Sequence, residues 1–250
     1  MHEVERTAVV EEARQSLSRK RFLLGAAGIL GGGALMAALP NTARAHETDP
    51  NVTDEDILNY ALTLEHLEAI FYVEGLKKFN RADFKKMNFS NEIRKNLERI
   101  RDHEVEHVDT LIAVIEDPNG VDGEAVPPAD EYDFSPGFAS VRKFIQVAQL
   151  LENTGVSAYT GAIAHVNAAG LLTAGSTIAT VEARHASYLN LINDDVPFPA
   201  AFDTPETPRD ICQLVDDRFI VSAPTPYGPY PSLEAFCAML PDSLQPATNT

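Results

Sequence analysis

Two short motifs on predicted helices combine a glutamate with a histidine three residues later. They are Glu104 with His107 and Glu182 with His185. Residues three apart on an α-helix project from the same face, so each pair places a carboxylate and an imidazole where both can bind one ion. Each pair also falls within the apolar face of its helix, which predicts that it points into the core. The sequence therefore predicts two metal-chelating faces in the interior.

Two further glutamates are predicted inside the protein. Glu152 is the only charged side chain between Phe144 and Val181, and Glu65 lies on an apolar face of the first predicted helix. A buried, isolated carboxylate loses its hydration, so it must be protonated, paired or bound to metal. Together with the two pairs, these glutamates complete a predicted set of six metal ligands, namely Glu65, Glu104, His107, Glu152, Glu182 and His185.

A tyrosine follows each of the two single glutamates at the same spacing. Tyr72 is seven residues after Glu65, and Tyr159 is seven residues after Glu152. Seven residues is close to two helical turns, which places each tyrosine above its own glutamate. We predict that both tyrosines take part in catalysis, by donating a hydrogen bond to that glutamate or by lining the site. Each half of the chain thus carries the same Glu, Tyr and Glu-His pattern.

The charges of the predicted ligands indicate which metals would bind. Four carboxylates and two neutral imidazoles carry four negative charges, which two divalent cations would balance. Oxygen-rich sites with one imidazole per metal suit iron or manganese, although zinc and cobalt could also occupy them. The predicted cofactor is therefore a pair of divalent transition metals, Fe or Mn.

An alternative interpretation concerns the segment from His103 to His107, which matches the H-E-x-x-H pattern of zinc proteases. It would make the protein a zinc hydrolase. However, the second motif has Val181 where a first histidine would be needed, and four of the six predicted ligands would remain unexplained. We predict His103 and Glu68 at the boundary between core and surface, with Glu68 as an alternative metal ligand.

Four long helices must position these residues. The third is predicted to open at Ser135-Pro136, with serine as the cap and proline in the first turn. Gly155 and Gly161 inside this helix predict close packing or a local bulge. The predicted helices run from Thr53 to about Lys78, from near Ser90 to before Asp117, from Ser135 to about Asn167, and, after a break at Gly170, to about Asn193.

The order of these helices predicts an all-α fold. A polar linker from Asp117 to Phe134 separates the first helix pair from the second. Two helix pairs joined by a long connection form the layout of a ferritin-like four-helix bundle with one long crossover. After Pro197 the chain becomes proline-rich, with short helices predicted at 207–217 and 232–239. We expect an extended tail at 195–250 that packs on a bundle formed by 46–194.

Residues 1–45 are predicted to be an export signal that is cleaved. Basic residues precede an uncharged run from Phe22 to Thr42, which ends in the small-residue cleavage site Ala43-Arg44-Ala45. The segment Ser18 to Leu23 resembles the twin-arginine export motif, with Lys20 in place of the second arginine. Ordinary secretion or an uncleaved membrane anchor are the alternatives. The protein is expected in the periplasm, on the cell surface or outside the cell, and at a membrane only if the signal is uncleaved.

The charge of the chain limits its partners. The net charge is −17, and removal of six basic and four acidic residues with the signal makes it −19. Such an acidic surface repels nucleic acid and anionic membranes. The expected partners are metal ions and a small oxidant, and an oligomer is possible. Cys212 and Cys237 are the only cysteines, and they form either a disulfide that holds the tail or two free buried thiols.

The sequence resembles the ferritin-like superfamily and, within it, the desiccation-related ferritin-like proteins. The resemblance covers about Ile57 to Ile220, through ILNYALTLEHLEAIFY, DHEVEHVDTL, TVEARHASYL and PFPAAFDTP. The six ligand positions of the superfamily carry over one by one to the six residues above. The superfamily includes iron-storage ferroxidases, peroxide-reducing rubrerythrins and manganese catalases.

The resemblance leaves two functions open. The first is a redox protein that reacts with O2 or peroxide in protection against stress or desiccation. The second is a protective protein that binds metal, or has a structural role, without catalysis.

Overall fold

The computed structural model describes residues 52–244. The predicted export signal lies outside these residues and remains a prediction. The described part of the chain contains seven α-helices, a 3₁₀ turn and a two-stranded antiparallel sheet. The helices are α1 (Asp54–Lys78), α2 (Arg81–Lys86), α3 (Asn91–Ile115), α4 (Val141–Ala162), α5 (Ala169–Ile192), α6 (Pro208–Phe219) and α7 (Leu233–Met239). The turn is Ile163–His165, and the strands are β1 (Glu131–Tyr132) and β2 (Ile220–Ser222).

The first helix begins and ends as its sequence predicts. Thr53 and Asp56 form a capping box, in which each side chain bonds the backbone N–H of the other residue. Acidic residues occupy the first turn, and Lys77 and Lys78 occupy the last, as the helix dipole favours. Most of the remaining residues of α1 are buried. This helix is therefore the centre of the core and can present side chains to several neighbours.

The directions of the four long helices follow from contacts at one end of the bundle. Arg94, near the start of α3, donates to the carbonyl oxygen of Leu76 near the end of α1. A Cβ added to Gly75 would collide with the ring of Phe144, near the start of α4. Both α3 and α4 thus begin where α1 ends, so they run in the same direction. The connection between them has to span the bundle, which confirms the predicted four-helix bundle with one long crossover.

The crossover lies beside α1. Asn59 donates to the carbonyl oxygen of Glu124 at 3.0 Å, and its own side-chain oxygen accepts from Val126 N–H at 2.9 Å. Further along, the ring of Phe134 packs edge-on against Phe71, with the ring centres 5.3 Å apart. One buried asparagine and an aromatic contact therefore fix a segment that has almost no regular structure.

The predicted start of the third helix at Ser135-Pro136 is wrong. The helix α4 begins at Val141, and Ser140 caps it by accepting from Lys143 N–H at 3.2 Å. Residues 135–139 form turns instead, because Gly137 packs close to Phe71, where an added Cβ would lie 3.1 Å from the ring. The helix also ends at Ala162, earlier than predicted, and continues as the 3₁₀ turn.

The predicted break at Gly170 is displaced by a few residues. Gly170 lies within the first turn of α5, and the break falls at residues 166–168. Here Asn167 N–H and Ala168 N–H donate to the carboxylate of Asp54 at 2.6 and 3.0 Å. A side chain from the first turn of α1 therefore binds the segment just before α5, a partner that local sequence could not reveal.

Close packing explains both glycines inside α4, which is a continuous helix. A Cβ at Gly161 would lie 1.8 Å from the carbonyl oxygen of Glu206, so the tail rests directly on the helix. A Cβ at Gly155 would lie 3.4 Å from carboxylate oxygens of both Glu68 and Glu182. The absence of a side chain at Gly155 thus leaves room for two carboxylates.

The proline-rich tail covers one side of the bundle. Cys212 in α6 and Cys237 in α7 form a disulfide, and β2 of the tail pairs with β1 of the crossover. The Tyr230 hydroxyl donates to the carboxylate of Asp56 at 2.8 Å. These contacts attach the tail to α1 and to the crossover. Within residues 52–244, no helix is both long and apolar enough to span a membrane.

Candidate metal centre

The structure brings all six predicted ligands together in the middle of the bundle. All four glutamates have no exposed surface, and the two histidines are at most 9% exposed. Each long helix contributes from its inward face: Glu65 from α1, Glu104 and His107 from α3, Glu152 from α4, and Glu182 and His185 from α5.

The six side chains form two overlapping groups of four. Within each group, one ligand atom per residue lies within 4.8 Å of the others. Both groups include Glu104 and Glu182, so these two carboxylates stand between the two positions and could bridge two ions. The groups are Glu65, Glu104, His107 and Glu182, and Glu104, Glu152, Glu182 and His185.

The inner nitrogen of each histidine faces more than one carboxylate. Nδ1 of His107 lies 2.9 Å from Glu104, 3.2 Å from Glu65 and 3.2 Å from Glu182. One N–H cannot donate well to three acceptors at once. Ligand atoms that share a metal ion at about 2.1 Å, however, lie about 3 Å apart. The spacing around His107 therefore matches a coordination shell better than a hydrogen-bond network.

Three buried carboxylate oxygens that lack a hydrogen bond in the described part of the chain indicate whether the residues fit a metal. Both carboxylate oxygens of Glu182 and Oε1 of Glu104 are buried without a hydrogen-bond partner of good geometry among the described residues. The ion pairs of these carboxylates in residues 52–244 involve only histidines, with no lysine or arginine. Buried carboxylates without such partners are costly unless a cation binds them. The residues present thus fit a pair of metal ions.

The family of the chain follows from a match to a known domain. The sequence model of the ferritin-like domain family matches residues 53–194. This range is more than half of the chain and contains all six predicted ligands. The chain belongs to the ferritin-like domain family. No curated protein matches it. The predicted ferritin-like fold is therefore confirmed, and the desiccation-related subgroup remains a prediction.

The ionisable groups show how negative the centre of this ferritin-like domain is. Burial, with the charges of Glu152 and Glu65, raises the pKa of Glu182 to about 8. Burial alone would lower the pKa of His185, but Glu104 and Glu152 raise it to about 11. Without metal, the site therefore favours protonated groups. The same negative potential favours a metal cation.

Both predicted tyrosines contact the ligands, but each bonds the glutamate of the other half. The Tyr72 hydroxyl donates to Glu152 at 2.6 Å, and the Tyr159 hydroxyl donates to Glu65 at 2.6 Å. The predicted hydrogen bond from each tyrosine to its own glutamate is therefore wrong, whereas the stated alternative, that both tyrosines line the site, agrees with these contacts. The reason is that each side chain points from its helix across the bundle axis to the facing helix. Burial raises the pKa of both phenols, so both remain protonated hydrogen-bond donors.

Glu68 is a fifth buried carboxylate at this site, and its predicted place at the boundary is wrong. It is 3% exposed and lies near Glu182, beside Gly155. Burial, followed by the charges of Glu182 and other ligands, raises its pKa well above the usual range. The signal was present, since Glu65 and Glu68 have the same three-residue spacing as the Glu-His pairs. Glu68 is thus available to bind a metal or to hold a proton.

His103 supports one of the ligand histidines from outside. Its Nδ1 lies 2.9 Å from Nε2 of His185, and the two rings stack with centres 5.2 Å apart. This contact holds the ring of His185 with Nδ1 facing the carboxylates. A zinc-protease arrangement would need His103 and His107 on one ion and Glu104 free to act as a base. The observed geometry instead places Glu104 between the two ligand groups.

Proposed function

We propose that this ferritin-like protein holds two iron or manganese ions and uses them to react with dioxygen or peroxide. The observation that carries the proposal is the pair of four-ligand groups that share Glu104 and Glu182. Such a pair fits two ions held close together by common carboxylates. A single structural ion would need only one of the groups.

The bound ions would supply the redox chemistry, since two of them can together pass two electrons to a small oxidant. The protein's own residues provide the setting. Each metal position has one imidazole and several carboxylate oxygens, a ligand set that suits iron and manganese. Burial of all four glutamates excludes bulk water and strengthens the electrostatic interactions within the site.

The residues around the ligands have distinct positions and roles. Tyr72 and Tyr159 hold Glu152 and Glu65 by short hydrogen bonds, so these carboxylates keep their orientation. His103 holds His185 in the same way. Glu68, whose raised pKa favours its protonated form in the metal-free site, can hold a proton beside Glu182, which belongs to both ligand groups.

Oxidation of ferrous ion provides the test. The wild-type protein, loaded without oxygen, should oxidise Fe(II) on exposure to O2 or hydrogen peroxide, as followed by absorbance and by consumption of the oxidant. The double variant Glu104→Ala, Glu152→Ala removes one shared and one unshared ligand and should lose this activity. Glu106→Ala is the matched control, because Glu106 lies on the same helix but is exposed.

The outcomes separate the two candidate functions. Activity in the wild type and in Glu106→Ala, with none in the double variant, supports the redox function. Equal oxidation by all three proteins contradicts it. Tight binding of about two metal ions per chain without any oxidation would favour a protective metal-binding protein. Elemental analysis of protein from its native host would identify the metal.

We also propose that the protein works outside the cytoplasm, in protection against stress or desiccation. The signal-like sequence at residues 1–45 supports export. The disulfide between Cys212 and Cys237 supports it independently, since such bonds persist mainly in oxidising compartments. Detection of the mature protein in a periplasmic or culture fraction, beginning after Ala45, would test this. Full-length protein in the cytoplasmic fraction would contradict it.

A further inference from the structure

An apolar cavity lies between the four long helices, to one side of the metal centre. Its volume is about 60 Å³, and its lining is almost wholly apolar. All four bundle helices and the 3₁₀ turn contribute to its walls. The cavity is therefore part of the bundle interior and is separate from the tail and the crossover.

The cavity is about one helical turn from the ligands. Ala61 lines it and lies four residues before Glu65 on α1, and Ile178 lines it and lies four residues before Glu182 on α5. Four residues of an α-helix rise about 6 Å. Since both residues precede their ligands on helices that run in the same direction, they mark the same end of the bundle.

One side chain contacts both the cavity and the metal centre. The ring of Tyr159 lines the cavity, and its hydroxyl lies 2.6 Å from Oε1 of Glu65. On the outer side, Leu171 and Leu172 are half-buried and Ile163 is 44% exposed. The cavity is thus partly open on its solvent side, and Tyr159 connects its wall to one of the ligands.

We propose that this cavity binds dioxygen and delivers it to the metal centre. This inference rests on the proposed redox function and assigns its oxidant. Dioxygen is small and apolar and needs no hydrogen-bond partners. It therefore suits a cavity whose walls offer almost none. Hydrogen peroxide carries two O–H groups, and each would cost about 1–3 kcal/mol if left unpaired. Water gains little there for the same reason, because the apolar walls offer almost none of the two to four polar partners that an ordered water makes.

The size of the cavity also limits its occupant. Apolar cavities of about 150 Å³ in proteins stay dry and bind benzene or xenon. A cavity of about 60 Å³ is too small for an aromatic ring. It has room for a diatomic gas or a xenon atom. Dioxygen is thus the one candidate oxidant that matches both the volume and the chemistry of the walls.

Filling the cavity tests the proposal. Gly175 lines it, and a Cβ added there meets no atom within 4 Å, so Gly175→Leu adds a side chain where space is open. Ile178→Phe fills the cavity from a second position if the first variant folds poorly. Thr177→Leu is the matched control, because Thr177 is exposed on the same helix and does not line the cavity.

The first measurement compares two oxidants. With iron-loaded protein, Gly175→Leu should slow oxidation by O2 at least about fivefold, equivalent to about 1 kcal/mol of added barrier. Oxidation by hydrogen peroxide under argon should stay at the rate of Thr177→Leu. Equal slowing with both oxidants, or no slowing with O2, overturns the inference and leaves the redox function intact.

The second measurement does not depend on activity. Crystals of metal-free wild-type protein under xenon pressure should show a xenon atom in the cavity, and crystals of Gly175→Leu should not. An empty wild-type cavity under xenon overturns the inference. If xenon binds in the wild type but the loaded protein oxidises no iron, the redox function fails while the gas site stands.

Discussion

Metal binding should stabilise this protein strongly, and a single substitution should abolish the effect. Glu182 belongs to both ligand groups, so Glu182→Gln removes a ligand from both metal positions while it keeps the size of the side chain. The variant should fold well without metal, because it removes a buried carboxylate whose two oxygens have no good hydrogen-bond partner among the described residues. Metal-dependent stability therefore isolates the binding role of Glu182.

The expected magnitude follows from the number of positions. A ligand at one hundred times its Kd stabilises the folded state by about 2.7 kcal/mol per site. Two positions would give about 5 kcal/mol. For a chain of this size, 1 kcal/mol shifts Tm by about 2–4 °C, so saturating Mn(II) should raise the Tm of the wild type by roughly 10–20 °C.

The assay is thermal unfolding at pH 7 in EDTA and in saturating Mn(II). Glu182→Gln should gain at most a few degrees, and Glu106→Gln, which changes an exposed glutamate of α3, should gain as much as the wild type. A wild-type Tm that is unchanged by Mn(II) would refute the metal centre. An equal gain in Glu182→Gln would refute its position between the two ions.

Three other predictions follow from the same structure. Tyr72→Phe removes a charge-assisted hydrogen bond worth about 1.5–3 kcal/mol, so manganese titration should show a roughly 10–100-fold weaker site; unchanged affinity would show that Tyr72 does not hold Glu152. Metal-free protein should lose stability between pH 5 and pH 8. The pKa of the Glu182 carboxyl is about 8 in the folded protein, against an ordinary value of 4.5. The protonated carboxyl therefore stabilises the folded state fully below pH 4.5, and this contribution is lost as the pH rises to 8. Urea unfolding should show a loss of up to about 4 kcal/mol from this group, and a slope in Glu182→Gln as steep as in the wild type would contradict it. Reduction of the disulfide, or the double variant Cys212→Ser, Cys237→Ser, should cost about 2–4 kcal/mol in thermal unfolding without loss of metal binding, and a reductant should not affect the double variant further.

Much of the site could be predicted from the sequence because its signals are local. The three-residue spacing of the Glu-His pairs and the isolated charge of Glu152 depend only on helical periodicity and on the cost of burying a carboxylate. The caps at Thr53 and Ser90 likewise depend on residues within one turn. Where neighbours in the sequence decide the structure, the predicted helices and the predicted inward position of the six side chains agree with it.

The helix boundaries that were predicted wrongly depend on contacts with residues distant in the sequence. The third helix begins late because residues before Val141 pack as turns on Phe71. The break before α5 falls at residues 166–168, where Asp54, more than a hundred residues earlier, accepts from two backbone N–H groups. Neither contact leaves a pattern in the segment it affects, so local propensity favoured other boundaries.

The sequence by itself determined that six side chains of the right types face a common core, and that the chain forms two similar helix pairs. The tertiary structure decided that Tyr72 bonds Glu152 across the bundle, that Glu68 is buried beside the ligands, and that an apolar cavity lies next to Tyr159. The physical reason is that periodicity fixes the face on which a residue lies. The rotation and height of one helix against another fix what that residue touches.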